Sequence, residues 1–175
     1  MEKYLLGIDA GSSSVKSALF DLKGRMIASD FKCNKREDVT EETRKLGIEE
    51  VDADHIWESA KMCIRDVVRK SGIDAQRIAA VGICSFGNGV VMVDRQGNPV
   101  AKAALSQDYR ANQVMGKYEK EGKLDRINRI IAGTLFAGEP GPILRWYKEN
   151  RPDVYRRIGG VLMCKDFLVL KLTEQ

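Results

Sequence analysis

Six residues near the N-terminus have the types and spacing to hold a phosphate: Asp9, Gly11, Ser12, Ser13, Ser14 and Lys16. Apolar stretches flank them, Leu5 to Ile8 before and Val15 to Phe20 after. Each arm therefore reads as a buried strand, and the turn between them offers hydroxyls and backbone N–H groups instead of bulk. Gly11 lets the backbone approach a ligand closely, and the three serines can donate to anionic oxygens. Asp9, leaving a strand at its carboxyl end, can hold a hydrated magnesium ion or align a nucleophile. This is neither a Walker loop nor a dinucleotide fingerprint. No Gly-x-x-x-x-Gly-Lys-[Ser/Thr] follows a strand, and the Gly-x-Gly at Gly87 and Gly89 has Met92 in place of the third glycine. A plain hairpin with a Ser-rich turn is the competing reading; Asp21, the Lys23-Gly24 turn and a third strand beyond it weigh against that.

Two later clusters could recognise neutral hydroxyls. Ser85-Phe86-Gly87-Asn88-Gly89 leaves the carboxyl end of the apolar run Ile78 to Cys84, where open α/β sheets bind ligands. Gly87-Asn88-Gly89 also suits a tight turn. Gln107, Asp108 and Arg110 together supply the donors and acceptors that a polyol requires. Alternatively, Asp108 N-caps a helix from Tyr109 to Glu121 and Arg110 is a surface ion-pair former.

The elements that must position these residues follow from periodicity. Residues 4–32 read as three antiparallel strands, the last reached through Lys23-Gly24. Lys35 to Glu50 is polar and without clear period, hence an exposed loop. Asp52 or Asp54 caps a helix whose Ile56, Ala60, Ile64 and Val67 form its apolar stripe, and Gly72 stops it. Residues 78–84 are too short for an independent helix and read as a strand parallel to the first. A hairpin over 89–105 is inserted after it, and 109–172 is mainly helical, with Pro142 near one helix start and Pro152 at another. Trp146 and Tyr147 read as core residues. The expected class is α/β, a ribonuclease-H-like mixed sheet with flanking helices.

Composition narrows the function. With 43% hydrophobic and 31% charged residues the chain is an ordinary globule, and 175 residues suffice for one domain burying roughly 70% of its unfolded surface. A net charge of +4 spread among nearly as many acids is no nucleic-acid footprint. No apolar run approaches the ~20 residues of a membrane span, and no signal peptide precedes the first strand, so a cytoplasmic location is expected. Cys33, Cys63, Cys84 and Cys164 are too scattered for zinc or a disulfide framework and are expected to be reduced and mostly buried. His55, the single histidine, reads as a surface or packing residue.

Gly7-Ile8-Asp9-Ala10-Gly11-Ser12-Ser13-Ser14-Val15-Lys16 resembles the first phosphate loop of the FGGY carbohydrate kinases, within the actin, hexokinase and Hsp70 superfamily. Val51-Asp52 to Trp57, Ile78 to Ile83, Val93 to Pro99, Asp108-Tyr109-Arg110 and Lys165-Asp166-Phe167 to Thr173 fall in the order of that family, so the likeness covers nearly the whole chain. The pattern is closest to the L-xylulose kinase branch, whose Leu-Ser-x-Asp-x-Arg reappears as Leu105 to Arg110. At Phe86-Gly87-Asn88-Gly89 many xylulokinases have Gln-Met-His-Gly, a departure that points away from D-xylulose.

The resemblance implies ATP and Mg2+ as cofactors and a pentulose or polyol as phosphoryl acceptor. It implies that Asp9 orients magnesium and phosphate, that Gly11, Ser12 and Ser13 cradle the transferring group, and that Lys16 offsets its charge. Asn88, Gln107 and Asp108 would grip the sugar. In such kinases a second domain holds most of the ATP and a later strand of the first supplies the base carboxylate. Neither falls within these 175 residues, so the chain alone is expected to be inactive. If the superfamily's fifth strand is missing, the 78–84 strand has an open edge, and self-association, a homodimer included, is expected. A non-catalytic actin-like module that binds nucleotide or phosphate to control assembly would share the first loop; it has no need of Phe86 to Gly89 or Ser106 to Arg110.

Overall fold

A computed structural model describes residues 2–34 and 40–174. The chain, expected to form one domain, divides into two compact units. One is drawn from Met1–Arg36, Val51–Phe86 and Cys164–Gln175, the other from Glu37–Glu50 and Gly87–Met163.

The first unit is built on β1 (Tyr4–Ala10), β2 (Ser14–Asp21) and β3 (Met26–Cys33). β1 pairs antiparallel with β2, placing Asp9 opposite Lys16, and β2 pairs antiparallel with β3. Alternation decides which side is buried: Tyr4, Leu6, Ile8 and Ala10 face inward along β1, and Val15, Ser17, Leu19 and Asp21 along β2. The 19-residue helix α2 (Ala53–Ser71) covers that side. Asp52 is its N-cap, accepting from the N–H groups of Asp54 and His55, and Gly72 ends it in a left-handed conformation. Its buried stripe holds Ile56, Ala60 and Val67 as expected, with Cys63 fully buried beside them, while Ile64 is only partly buried.

β5 (Ile78–Ser85) lies parallel to β1 with Cys84 opposite Asp9, giving the order β3-β2-β1-β5. This is the ribonuclease-H-like opening expected from the sequence. β5 is the sheet's edge among the described residues, and most of its side chains are exposed. α7 (Cys164–Thr173) packs on β5 and contributes Phe167 and Leu168, both fully buried.

The second unit contains α1 (Glu41–Leu46), where an exposed loop was expected; Lys35 to Val39, the start of that loop, lie outside the described residues. Thr40 caps α1 through the N–H of Thr43, and Gly47 closes it with φ 65°. Acids in the first turn and bases in the last suit the helix dipole. The short strand β4 (Glu50–Val51) follows, and the Glu49 carbonyl accepts from Leu105 N–H beside β7 (Ala103–Ala104). The expected hairpin over 89–105 is present as bridges from Val90 to Ala104 and from Val93 to Pro99. Its first arm, β6 (Val91–Val93), also pairs with β8 (Gly160–Leu162). Helices α3 (Asn112–Lys120), α4 (Leu124–Ile131), α5 (Pro140–Asn150) and α6 (Pro152–Tyr155) complete the unit. Its core gathers Val90, Met92, Val114, Ile143, Tyr147 and Val154.

Candidate functional site

In the first unit the β1–β2 turn carries the residues expected to meet phosphate. Asp9 is the last polar side chain of β1 and is half-buried. Gly11 N–H donates to the Ser14 carbonyl (2.9 Å), which closes the turn tightly. A Cβ on Gly11 would stand 3.2 Å from that same oxygen, closer than side chains normally pack. Asn34, just after β3, reaches the turn as well. Its side-chain amide donates to the carbonyls of Gly11 (2.9 Å) and Ser12 (3.2 Å), and its backbone N–H donates to that of Ser13 (2.9 Å). The N–H groups of Ser12 and Ser13 have no partner among the described residues.

Asp9 opens onto the side of the sheet that α2 does not cover, at one end of an open concavity of about 830 Å³. Lys16 and Cys84 flank it there, one on each neighbouring strand. The Cys84 thiol lies 3.5 Å from Asp9 Oδ1, and burial followed by that hydrogen bond pushes its pKa up. Cys84 and Cys33 are exposed, against the expectation of mostly buried thiols, whereas Cys63 and Cys164 are buried. Burial pushes the Cys164 thiol up to about 12.

Among the described residues no three His, Cys, Asp or Glu side chains stand close enough to form a metal cage. One carboxylate beside hydroxyls and N–H groups without partners among the described residues does fit magnesium, which keeps several waters and is held by one or two carboxylates plus substrate phosphates. Asp9 is the residue that would hold it.

In the second unit, three loops are knotted together. Gly89 N–H donates to the Gly138 carbonyl (3.0 Å), a Cβ on Gly89 would come within 2.4 Å of the Ala104 oxygen, and one on Gly138 within 2.1 Å of the Ser106 oxygen. Asn88 (φ 56°) and Gly89 (φ 68°) are both left-handed, so the tight-turn reading of this segment holds. Asn88 and Gln107 both project from this knot and are exposed.

Asp108 does not share that position. Its side chain is fully buried, and both oxygens are occupied: Oδ1 accepts from Arg110 N–H (3.0 Å) and Nε (2.9 Å), Oδ2 from Glu49 N–H (2.9 Å) and an Arg110 terminal nitrogen (2.7 Å). No lone pair is left facing solvent for a sugar hydroxyl, so the direct contact expected of Asp108 is corrected to an anchoring role. The N-cap alternative fails too, because α3 starts after Ala111 with no side-chain cap. Arg110 is likewise no surface residue. It donates to Tyr147 Oη (2.9 Å) and Glu50 Oε1 (2.6 Å) and lies over the Trp146 ring. Burial is the largest single influence and acts against its charge, but the Asp108 hydrogen bonds and the charges of Tyr147, Asp108 and Glu50 together outweigh it, and its pKa is raised. Burial pushes the Tyr147 phenol up while Arg110 pulls it down, leaving it raised.

Sequence reasoning missed Asn34, Glu50 and Tyr147. The partners of Asn34 lie 22 and 23 positions away and those of Arg110 up to 60, and no local pattern links them.

Comparison with known proteins supplies the context. Residues 4–175 match the N-terminal domain of the FGGY family of carbohydrate kinases. A probable L-xylulose kinase of Pasteurella multocida is 36% identical over 172 residues, 98% of this chain and 35% of the relative. An L-xylulose/3-keto-L-gulonate kinase of Escherichia coli is 31% identical over 99% of this chain and 34% of its own length. An autoinducer-2 kinase of Salmonella paratyphi A is 33% identical, with 98% and 32% covered. The chain thus spans about a third of the length of these relatives. The crystal structure of gluconate kinase from Lactobacillus acidophilus superposes with a TM-score of 0.90 at 22% identity, over 100% of this chain and 34% of that one, which establishes the actin/hexokinase-like fold. Residues 4–175 match that family's N-terminal domain, and the chain belongs to the FGGY family of carbohydrate kinases.

Proposed function

We propose that this chain is the N-terminal part of the first domain of a kinase that transfers the terminal phosphoryl group of ATP to a hydroxyl of a pentulose or related polyol, with L-xylulose as the first candidate. The observation that carries this reading is Asp9 at a strand end, beside a turn whose carbonyls are engaged and whose Ser12 and Ser13 N–H groups have no partner among the described residues. The names of the most similar relatives favour the sugar.

In this reading a Mg2+ ion held at this turn would supply positive charge to neutralise the phosphates. Asp9 holds the hydrated ion in register with them, and Gly11 keeps the backbone near enough for Ser12 and Ser13 to donate. Lys16, opposite Asp9 on β2, offsets charge developing on the transferred group. Asn88 and Gln107 contact the sugar, and Asp108 holds the segment that presents Gln107. The general base and most of the ATP contacts come from outside these residues. The setting is cytoplasmic.

The test is steady-state kinetics of the full-length protein with Mg·ATP and L-xylulose, D-xylulose and glycerol. L-Xylulose is expected to give the highest kcat/KM, and Asp9→Asn to lower kcat by ~10²–10³-fold, the scale of a lost electrostatic contact in a transition state. Unchanged turnover in Asp9→Asn, or sugar phosphorylation by the 175-residue chain alone, would overturn the proposal.

A further inference from the structure

We infer that Asn34 is a positioning residue for the phosphate turn, setting the direction of three successive peptide groups so that the N–H groups of Ser12 and Ser13 are presented to an anion. The inference rests on the phosphate reading of that turn, but it stands on separate hydrogen bonds. In a trans peptide the carbonyl and the following N–H point in opposite directions. The side-chain amide of Asn34 draws the carbonyls of Gly11 and Ser12 toward itself, and its backbone N–H draws that of Ser13. The N–H groups of Ser12, Ser13 and Ser14, which belong to the same three peptides, are therefore turned away from Asn34. Ser14 enters the β2 ladder opposite Cys33. Ser12 and Ser13 remain as two consecutive donors on a half-buried to exposed turn, the arrangement of an anion-binding nest.

Asparagine is specifically suited to this task. It is buried (8% exposed), and two acceptors close to one nitrogen demand an NH2 group. Rotating the amide would set its oxygen against two carbonyl oxygens. Its Oδ1 is buried with no hydrogen-bond partner among the described residues, so the orientation is kept although that acceptor goes unmatched there. Aspartate has nearly the same shape but no donor, and it would also place a negative charge beside the anion.

Amide-resolved NMR on the ¹⁵N-labelled 175-residue chain, titrated with inorganic phosphate, tests the assignment. In the wild type the Ser12 and Ser13 amides are expected to shift on titration, and the Asn34 side-chain NH2 to exchange slowly with water. Asn34→Ala and Asn34→Asp should each weaken the phosphate response about tenfold or more, the loss of one or two hydrogen bonds. They should move the Ser12 and Ser13 amides in the absence of phosphate, with the β1 amides unchanged. Wild-type phosphate affinity in both variants, or Asn34 side-chain protons exchanging at the rate of a free amide, overturns the inference; the second readout needs no variant to fold. A wild type that ignores phosphate but retains a protected Asn34 amide overturns the phosphate reading and leaves the peptide-orienting contact standing.

Discussion

Asp108 and Arg110 show how far a side chain's chemistry is from its use. A carboxylate two residues from a guanidinium, in a polar segment after a hairpin, has the donors and acceptors of a sugar site. Its burial, with hydrogen bonds to Glu49, Arg110 and through Arg110 to Tyr147 and Glu50, makes it the knot of the second unit instead. Removing one member of a buried, hydrogen-bonded pair leaves the other charge uncompensated, so Asp108→Ala is expected to destabilise the fold by ~3–5 kcal/mol. Chemical denaturation of the two proteins checks this. A variant as stable as the wild type, with only a raised KM for the sugar, would return Asp108 to the substrate.

At the level of elements, the ladder on β3 and α2 makes a prediction about acid. Asp30 on β3 accepts from Phe31 N–H and pairs with Lys32 and Lys70, and Lys32 also meets Asp66 of α2. The Phe31 N–H, then the Lys32 hydrogen bond, hold the Asp30 carboxyl down at about 2. The Lys32 hydrogen bond also lowers Asp66. A carboxyl whose folded pKa lies below the ordinary ~3.9 binds fewer protons folded than unfolded. Its stabilisation is therefore complete above about pH 4 and is lost as pH falls through about 2. Thermal melts across that window should show a falling midpoint in the wild type and a shallower fall in Asp30→Asn. Parallel curves for the two would count against this ladder as the source.

The same elements show what was legible in the sequence. β1, β2 and α2 write their burial into alternation or helical spacing, β3 was reached through the Lys23-Gly24 turn, and Gly72 marks a boundary, so their order and direction could be read directly. α1 buries none of its residues, which erases the apolar period, and only Thr40, the charge order and Gly47 were left to signal it. Asp9, Gly11, Ser12 and Ser13 were legible because strand, turn and strand are contiguous. Asn34 and the partners of Arg110 were not, because side-chain hydrogen bonds across tens of residues leave no local trace.

For the molecule as a whole, the open strand β5 is the exposed element. Val81, 48% exposed, stands on a strand whose outer edge has no partner among the described residues. Such an edge templates pairing with another chain. Sedimentation velocity on the 175-residue chain is expected to show concentration-dependent association, reduced by Val81→Lys; a clean monomer across the range would refute it.

The first unit is also discontinuous along the chain, closing only when α7 brings Phe167 and Leu168 to β5 and the Ser85 hydroxyl accepts from Lys165 N–H at the helix start. During synthesis this becomes a matter of order. The strands β1 to β3 leave the ribosome before the other elements described, yet their unit waits for a helix encoded some 80 residues after β5. The intervening second unit, whose last strand β8 precedes α7, has every segment it needs before the first unit does. Of the two units, the one whose strands come first in these residues is thus the one that closes last.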